Sequence, residues 1–400
     1  MELSRKIKLN NALYRILEAL LCGYIVFVPI VNTFNFWLFG NGIQVYLSLL
    51  IIALTMTLRF MNRGQKRTTF HGLPILIIFL IELAYCSLRG WPIEIRFFLL
   101  YGLYVSFLSL PSEISRKSIF FSYYIAVYVA MFFTLLNGLS EEGISRTGGS
   151  VDGSFTIVGI VLLLFLEEDF KVGKLYRALK GLSVIPIFVI LLFGMSRARI
   201  LIVALLIALK FLTVMIRGFS SGRVKVVYVL GFVVLIGLFL IALQLPVVQD
   251  LLEEVSNRFE SGFSSEGRDA EAEYAWMLFR YFPILGGGYA SYTFYDYYYV
   301  QSNYYNHNMY LAILARGGVV MALAFLFSFA AILKRVWNSK DSFLWILLSC
   351  ILVLGYGNAG IFNYTIVGFL IPLVLGLRQY EKPAQVGVKN GHHISLKRRV

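Results

Sequence analysis

Charged residues are scarce in this sequence. Of its 400 residues only 14% are Asp, Glu, Lys or Arg, whereas 58% are hydrophobic and the mean hydropathy is +0.75. A soluble domain of this length cannot bury so much apolar surface, so the composition excludes an ordinary soluble globular protein. Apolar runs of about 18 or more residues recur along the chain, which indicates a multi-spanning α-helical membrane protein.

Cysteine is also scarce, and several common motifs are missing. The three cysteines, Cys22, Cys86 and Cys350, all fall within apolar runs, so the sequence predicts neither a disulfide framework nor a metal site. Runs such as LPILIIFLIELAYCSL are apolar on every side, which excludes the alternating pattern of an outer-membrane barrel. No nucleotide-binding loop and no internal repeat is evident in the sequence. The net charge of +14 is therefore taken to report loop topology and contact with anionic lipid, not nucleic acid.

The apolar runs predict twelve membrane spans. The first follows a basic stretch without a small-residue cleavage site, so we expect a retained helix and not a signal peptide. The predicted spans are residues 14–38, 43–60, 73–88, 95–110, 119–137, 153–168, 181–195, 198–216, 226–246, 306–333, 343–358 and 361–378.

The spans divide the chain into four parts. Residues 1–246 hold spans one to nine, and residues 306–378 hold spans ten to twelve. Between them lies a polar loop, residues 247–305, which is too long for a simple connector and is therefore expected to be functional. Residues 379–400 form a basic tail, expected to lie near anionic headgroups in the cytoplasm.

The basic residues orient these spans. With a cytoplasmic N-terminus, 27 of the 36 basic residues fall on the inner side, and the bias has the same sign at every turn. This asymmetry predicts twelve spans with both termini inside. All 14 lysines lie on the inner side, so the basic residues of the outer side are nine arginines. Because arginine binds phosphate in bidentate fashion and keeps its charge when desolvated, the outer face is expected to handle a phosphate-bearing substrate.

Two outer segments carry candidate arginines. Arg197 and Arg199 begin a helix after a very short turn, where the helix dipole favours an anion, although arginines there also anchor helices at a membrane interface. In the long loop, Arg268 and Arg280 belong to a predicted amphipathic helix that Pro283 ends. Arg268 has the simpler alternative of pairing with a nearby acidic side chain.

The same loop contains a glycine turn and many aromatic residues. Gly286, Gly287 and Gly288 allow a sharp turn with close backbone approach. We expect Trp276 and its aromatic neighbours to lie at the membrane interface. The aromatic run YASYTFYDYYYV is interpreted first as an interfacial belt, with a sugar-stacking surface as the alternative.

The third outer segment is NYYNHNMYLAILARGG, residues 303–318. The topology places His307 at the outer end of span ten, with Asn306 and Asn308 positioned to orient it. Histidine titrates near neutral pH and can accept a proton from a hydroxyl, although an interfacial histidine is often only hydrogen-bonded. Arg316 lies nine residues further on, about 13 Å along a helix, and such an intramembrane charge is functional by default. Glu82 in span three is its candidate partner.

Taken in order, these segments resemble the O-antigen ligase and O-antigen polymerase superfamily. The matching elements are SRARILIVALL, a GR pair, the turn PILGGG, and HN-x-Y-L followed by a glycine pair. The motifs cover roughly residues 140–335. The resemblance implies an all-α integral membrane fold of about twelve spans with one large periplasmic loop carrying short amphipathic helices, a GT-C-like architecture in the bacterial inner membrane.

The resemblance also implies an activity and its residues. Family members transfer a glycan from undecaprenyl pyrophosphate to a sugar hydroxyl of lipid A–core, or of another lipid-linked repeat, without metal or cofactor. Arg197 and Arg268 then neutralise the pyrophosphate, and His307 is the base. The further candidates for contact with pyrophosphate or glycan are Arg146, Arg199, Arg280, Arg316 and Asn308. Arg316 departs from the family pattern, so its role is not carried over.

Other functions remain open. A ligase and a polymerase share donor and mechanism and differ in the acceptor, and we favour the ligase. A transporter or flippase for an anionic lipid or solute would show paired repeats and broken helices, whereas this chain has one large outer loop. A structural scaffold for envelope assembly would leave His307 and the outer arginines without a purpose.

Overall fold

A computed structural model gives the structure of the chain. The residues that it describes are 2–34, 42–61, 72–111, 113–140, 143–144, 154–167, 172–194, 197–220, 249, 253, 266–289, 293–295, 301–303, 308–357, 368–378 and 380.

The described part of the chain is predominantly helical. Among the described residues, nine helices precede the long loop: α1 Glu2–Phe34, α2 Gly42–Met61, α3 Leu73–Leu88, α4 Ile95–Leu108, α5 Arg116–Gly138, α6 Ser154–Phe165, α7 Lys174–Leu182, α8 Val184–Gly194 and α9 Arg197–Ser220. Four more follow within the described residues: α10 Glu266–Tyr281, α11 Met309–Ser339, α12 Ser342–Gly357 and α13 Leu370–Arg378.

Two short antiparallel hairpins interrupt the helical pattern, both in loops. Strand β1, Leu139–Ser140, pairs with β2, Gly143–Ile144, directly after α5. Strand β3, Thr293–Tyr295, pairs with β4, Gln301–Asn303, in the loop that precedes α11. The expected helical fold class is confirmed, and these hairpins are the addition that the sequence pattern did not predict.

The helices coincide with the predicted spans. Eleven of the twelve spans overlap a described helix, and span 226–246 lies outside the described residues. Within the described part, Arg116–Leu136 and Met309–Ser339 are long and apolar enough to cross a membrane. Six shorter apolar helices accompany them, and the crossing order of the whole set stays a prediction.

The distribution of apolar side chains fits a membrane environment. Large apolar residues point outward from many helices, as in Leu88 and Phe327, which are 89% and 71% exposed. The interior contains aromatic residues whose polar tips find partners: the hydroxyl of Tyr123 donates to the carbonyl of Gly368 at 2.7 Å, and that of Tyr104 lies 3.2 Å from the hydroxyl of Ser328. In a membrane, lipid would solvate such an outward apolar surface, and helix association would then depend on packing and on buried hydrogen bonds of this kind.

Helix α7 is a short amphipathic helix that the sequence pattern placed in a basic loop. Its basic residues lie on the surface, and the buried member of the helix is Tyr176. The ring of Tyr176 stacks with Phe121 of α5 at 5.7 Å between centroids. This contact holds α7, which connects α6 to α8, against the N-terminal part of α5.

Candidate functional site

Helix α11 is broken at Gly318, and the break is the centre of the candidate site. Gly318 has φ 62° and ψ −165°, a backbone region that is essentially restricted to glycine. The helical hydrogen-bond pattern therefore stops there, leaving carbonyls before the break and amides after it in need of partners.

The glycine turn, residues 283–289, supplies those partners. The amides of Gly287 and Gly288 donate to the carbonyls of Ala315 and Arg316 at 2.7 and 3.1 Å. In return, the amides of Val319 and Val320 donate to the carbonyls of Pro283 and Ile284 at 2.8 and 3.3 Å. Four hydrogen bonds thus join the turn to both sides of the break.

The close approach of the two backbones requires glycine. Gly286 and Gly288 have φ of 71° and 88°, and a Cβ on Gly286 would overlap the carbonyl of Arg316. A Cβ on Gly318 would likewise overlap the carbonyl of Ile284. The predicted sharp turn with close backbone approach is therefore confirmed, and its contact surface is the interrupted helix.

Helix α10 holds the turn against α11. It ends at Tyr281, just before Pro283, as predicted. The helix buries small and aliphatic residues, Ala275 and Leu278, against Ala315 of α11. Two of its aromatic residues face outward, since Trp276 is 43% and Tyr281 is 73% exposed. An aromatic surface on the outward side of this helix fits the predicted interfacial position.

A buried cluster with polar members lies under the turn, and we refer to Glu82, Phe97, Tyr101, Tyr289 and Arg316 as the Glu82 cluster. Tyr289 is fully buried, and its hydroxyl donates to the carboxylate of Glu82. The hydroxyl of Tyr101 lies 3.2 Å from that of Tyr289. The guanidinium of Arg316 lies 4.4 Å from the centre of the Phe97 ring. Burial raises the pKa of Tyr289 well above its usual range, so this residue stays neutral.

The α3–α4 connection closes the cluster from the other side. The amide of Glu94 donates to the carbonyl of Tyr289 at 3.0 Å. Arg96 pairs with Glu94 at 2.6 Å and places its guanidinium 4.8 Å from the Phe97 ring. Two arginines from different helices, Arg96 and Arg316, therefore meet at one aromatic ring.

Arg316 itself is only 3% exposed. Its charge reaches Tyr274 of α10, where it opposes the larger effect of burial that raises the pKa of that phenol. Glu82, its candidate partner, accepts instead from Tyr289. The structure thus places Glu82 and Arg316 in one cluster and gives the carboxylate a tyrosine partner.

Asn308 caps the start of α11. Its side-chain oxygen accepts from the amides of Tyr310 and Leu311 at 3.0 and 3.2 Å. This is the usual N-cap arrangement, which satisfies amides of the first turn. The expected orienting of His307 by Asn308 is not tested, because His307 lies outside the described residues.

Three of the other predicted site residues lie in the first turns of helices. Arg197 is the first residue of α9, as expected from the short turn before it, and Arg199 follows in the first turn. Arg268 belongs to the first turn of α10. The side chains of these three arginines, and all of Arg146, lie outside the described residues. Arg280 lies in the last turn of α10 and is exposed.

The sequence interpretation missed Arg96, Phe97, Tyr101 and Tyr289 as members of one cluster. The available signal was the pair of glycine runs, at 286–288 and 317–318, because two glycine runs at matching depth can allow two backbones to meet. Among the described residues no group of three His, Cys, Asp or Glu side chains lies together as a metal site would require. Metal independence stays a prediction.

The apolar helices, and the loop segment docked into a broken helix, are features that a helical membrane protein would have. A family model described as O-antigen ligase matches residues 182–326, and this match supports the resemblance to the O-antigen ligase superfamily. The chain matched no curated protein. The resemblance drawn from the motifs is confirmed. An O-antigen ligase or polymerase type of function, acting on lipid-linked glycans, follows in general terms.

Proposed function

We propose that the protein is an O-antigen ligase that works at the periplasmic face of the bacterial inner membrane. It moves a glycan from undecaprenyl pyrophosphate to a sugar hydroxyl of lipid A–core. The observation that carries this proposal is the family match at residues 182–326, because it encloses Arg197, Arg268 and His307 in the order of the family motifs.

The proposed reaction needs one base and a set of cations. The acceptor oxygen attacks the anomeric carbon from the face opposite the pyrophosphate, and the bond from that carbon to the phosphate oxygen breaks. The hydroxyl proton passes to a ring nitrogen of His307, and the electron pair leaves with the pyrophosphate. Fixed arginines, Arg197 and Arg268, stabilise the charge that develops on this leaving group, as a metal does in other transferases.

The proposed roles of the arginines differ with their burial. Arg280 is exposed on the docked helix α10 and is suited to contact a glycan or phosphate directly. Arg316 is buried, so we assign it an electrostatic role beneath the turn. Arg146 and Arg199 are retained as further phosphate contacts on sequence grounds. In this proposal the glycine turn holds the loop that carries Arg268 and Arg280 in a fixed position over α11.

The test is transfer of a purified lipid-linked glycan to lipid A–core in proteoliposomes. We expect His307→Ala, Arg197→Ala and Arg268→Ala each to abolish transfer while the protein still inserts. Arg177→Ala, on the surface of the amphipathic helix α7, is the matched control and should transfer normally. Full activity of the histidine variant would remove the base assignment. Activity in both arginine variants would remove the pyrophosphate site.

A polymerase is the alternative with the same donor. A chromosomal deletion examined on a lipopolysaccharide gel separates the two functions. A ligase deletion loses every O-antigen band while lipid-linked polymer accumulates. A polymerase deletion leaves core carrying a single repeat.

The break in α11 favours a second alternative, a transporter of anionic lipid or solute, because transporters bind substrates at broken helices. Here the glycine turn fills the break with four backbone hydrogen bonds, which leaves it closed. The discriminating measurement is flipping of a fluorescent lipid diphosphate by proteoliposomes without acceptor. Flipping at a rate that exceeds glycan transfer would favour the transporter.

A further inference from the structure

A second site lies at the opposite ends of the helices from the Glu82 cluster. A cavity of about 1040 Å³ is formed where α5 begins, α6 ends and α11 passes into α12, with the second half of α9 and Tyr380 completing the wall. These are all ends that the positive-inside count assigns to the cytoplasmic side. Neither the family motifs nor the proposed transfer reaction uses any residue of this cavity.

The cavity wall carries an excess of positive charge. Three cations line it, Arg116, Lys210 and Lys340, against two carboxylates, Glu167 and Asp341. Both oxygens of Asp341 already accept hydrogen bonds, from the amide of Phe343 and from the hydroxyl of Tyr380, each at 2.9 Å. These two donors partly offset the negative charge of Asp341.

Most of the other residues that line the cavity are apolar. Its hydrocarbon side chains include Phe120, Phe165, Leu209, Phe343 and Ile346. The ammonium of Lys210 lies 5.4 Å from the centre of the Phe165 ring, so charge and hydrocarbon adjoin within one wall. A ligand that matches this surface has an anionic head and an apolar body.

We infer that this cavity binds an anionic phospholipid of the cytoplasmic leaflet, with Arg116 and Lys210 on its phosphate. Basic pockets between helices on the cytoplasmic side are suited to such headgroups, and the guanidinium of Arg116 offers the bidentate geometry that a phosphate accepts. The apolar wall favours a lipid over free phosphate, which has no hydrocarbon to bury. The inference rests on the proposed orientation of the helices but not on the proposed chemistry.

The experiment measures lipid binding without any glycan substrate, so that it is independent of transfer. The purified full chain is titrated in detergent with phosphatidylglycerol, phosphatidylcholine or inorganic phosphate. Retained lipid is counted by native mass spectrometry, and the melting temperature is followed in parallel. We expect phosphatidylglycerol to bind and to raise the melting temperature, and the other two to have no effect at matched concentration.

A pair of double variants locates the site. Arg116→Gln with Lys210→Gln removes two cavity charges and should weaken phosphatidylglycerol binding about 25-fold, since each juxtamembrane cation contributes about fivefold. Lys117→Gln with Lys334→Gln removes two exposed charges of the same face, neither of which lines the cavity, and should bind as the parent does. Equal losses in the two double variants would overturn the inference, as would inorganic phosphate displacing the lipid. If the cavity variant does not fold, the lipid titration of the parent chain still tests the inference. Tighter binding of phosphatidylcholine than of phosphatidylglycerol would overturn the inference.

Discussion

The docking of the glycine turn into the broken helix predicts an unusually large effect for one added methyl group. In Gly318→Ala the new residue must adopt φ 62° and ψ −165°, which costs about 1–3 kcal/mol. The methyl group would also overlap the carbonyl of Ile284. The two hydrogen bonds from the amides of Val319 and Val320 would be lost as the turn moved away, at about 0.5–1.5 kcal/mol each. Together we expect about 2–6 kcal/mol of lost stability.

Two matched variants separate the causes of this loss. Gly90→Ala introduces the same methyl group at a positive φ of 67° but into open space, so only the backbone cost of about 1–2 kcal/mol applies. Gly23→Ala lies in helix α1, where no neighbour would meet the new Cβ within 4 Å. That change should be neutral or stabilise by up to about 1 kcal/mol.

The assay is thermal unfolding of the detergent-solubilised protein, followed by the fraction that remains monodisperse after heating. The expected order of melting temperatures is Gly23→Ala at or above the parent, then Gly90→Ala, then Gly318→Ala at the lowest value. Limited proteolysis should cut Gly318→Ala in the loop containing α10 before the parent is cut. A Gly318→Ala protein that melts with Gly90→Ala would refute the tight docking of the turn.

Further predictions follow from the described contacts. Tyr289→Phe leaves Glu82 without its hydrogen bond, so the melting temperature should fall by the equivalent of about 1–3 kcal/mol, and Glu82→Gln in the same chain should recover part of it. Because folding raises the pKa of Tyr289, its contribution to stability is present below the usual phenol pKa near 10 and is lost at higher pH. The melting temperature should therefore fall less steeply with pH above about 10 for Tyr289→Phe than for the parent. Asn308→Ala should cost about 1 kcal/mol through loss of the N-cap, and Asn308→Ser should retain most of that stability; equal melting of both would refute the capping role. Arg316→Met should lose about 0.5–2 kcal/mol of cation–π stabilisation and lower the melting temperature accordingly. The control is Arg280→Met, which removes an exposed charge and should melt as the parent does.

Much of the fold could be predicted because its physical cause is local. A run of apolar residues long enough to meet lipid must satisfy its own backbone polar groups, and a helix does so within the segment. The end of α10 before Pro283 and the turn at Gly286 follow equally from the chemistry of single residues. The start of α9 at Arg197 was likewise placed by the short polar turn before it.

The candidate site was predictable only in part. The ordered motifs gave the family and the residues Arg197, Arg268 and His307 as hypotheses. They did not reveal that Tyr289 binds Glu82, since 207 positions separate the two residues and no local pattern links them. Arg96 likewise gave no sign of its place beside Arg316, because that depends on how the first turns of α4 and of α11 pack together.

The sequence by itself determined that this chain forms apolar helices and that basic residues are more frequent at one end of these helices than at the other. It also determined the positions of the two glycine runs, 286–288 and 317–318. Each of these depends on residue type and spacing alone. Only the tertiary structure decided that the first glycine run closes the break made by the second, with Arg316 and Glu82 buried beneath. The physical reason is that a broken helix needs hydrogen-bond partners from elsewhere in the chain, and which segment supplies them depends on the packing of distant helices.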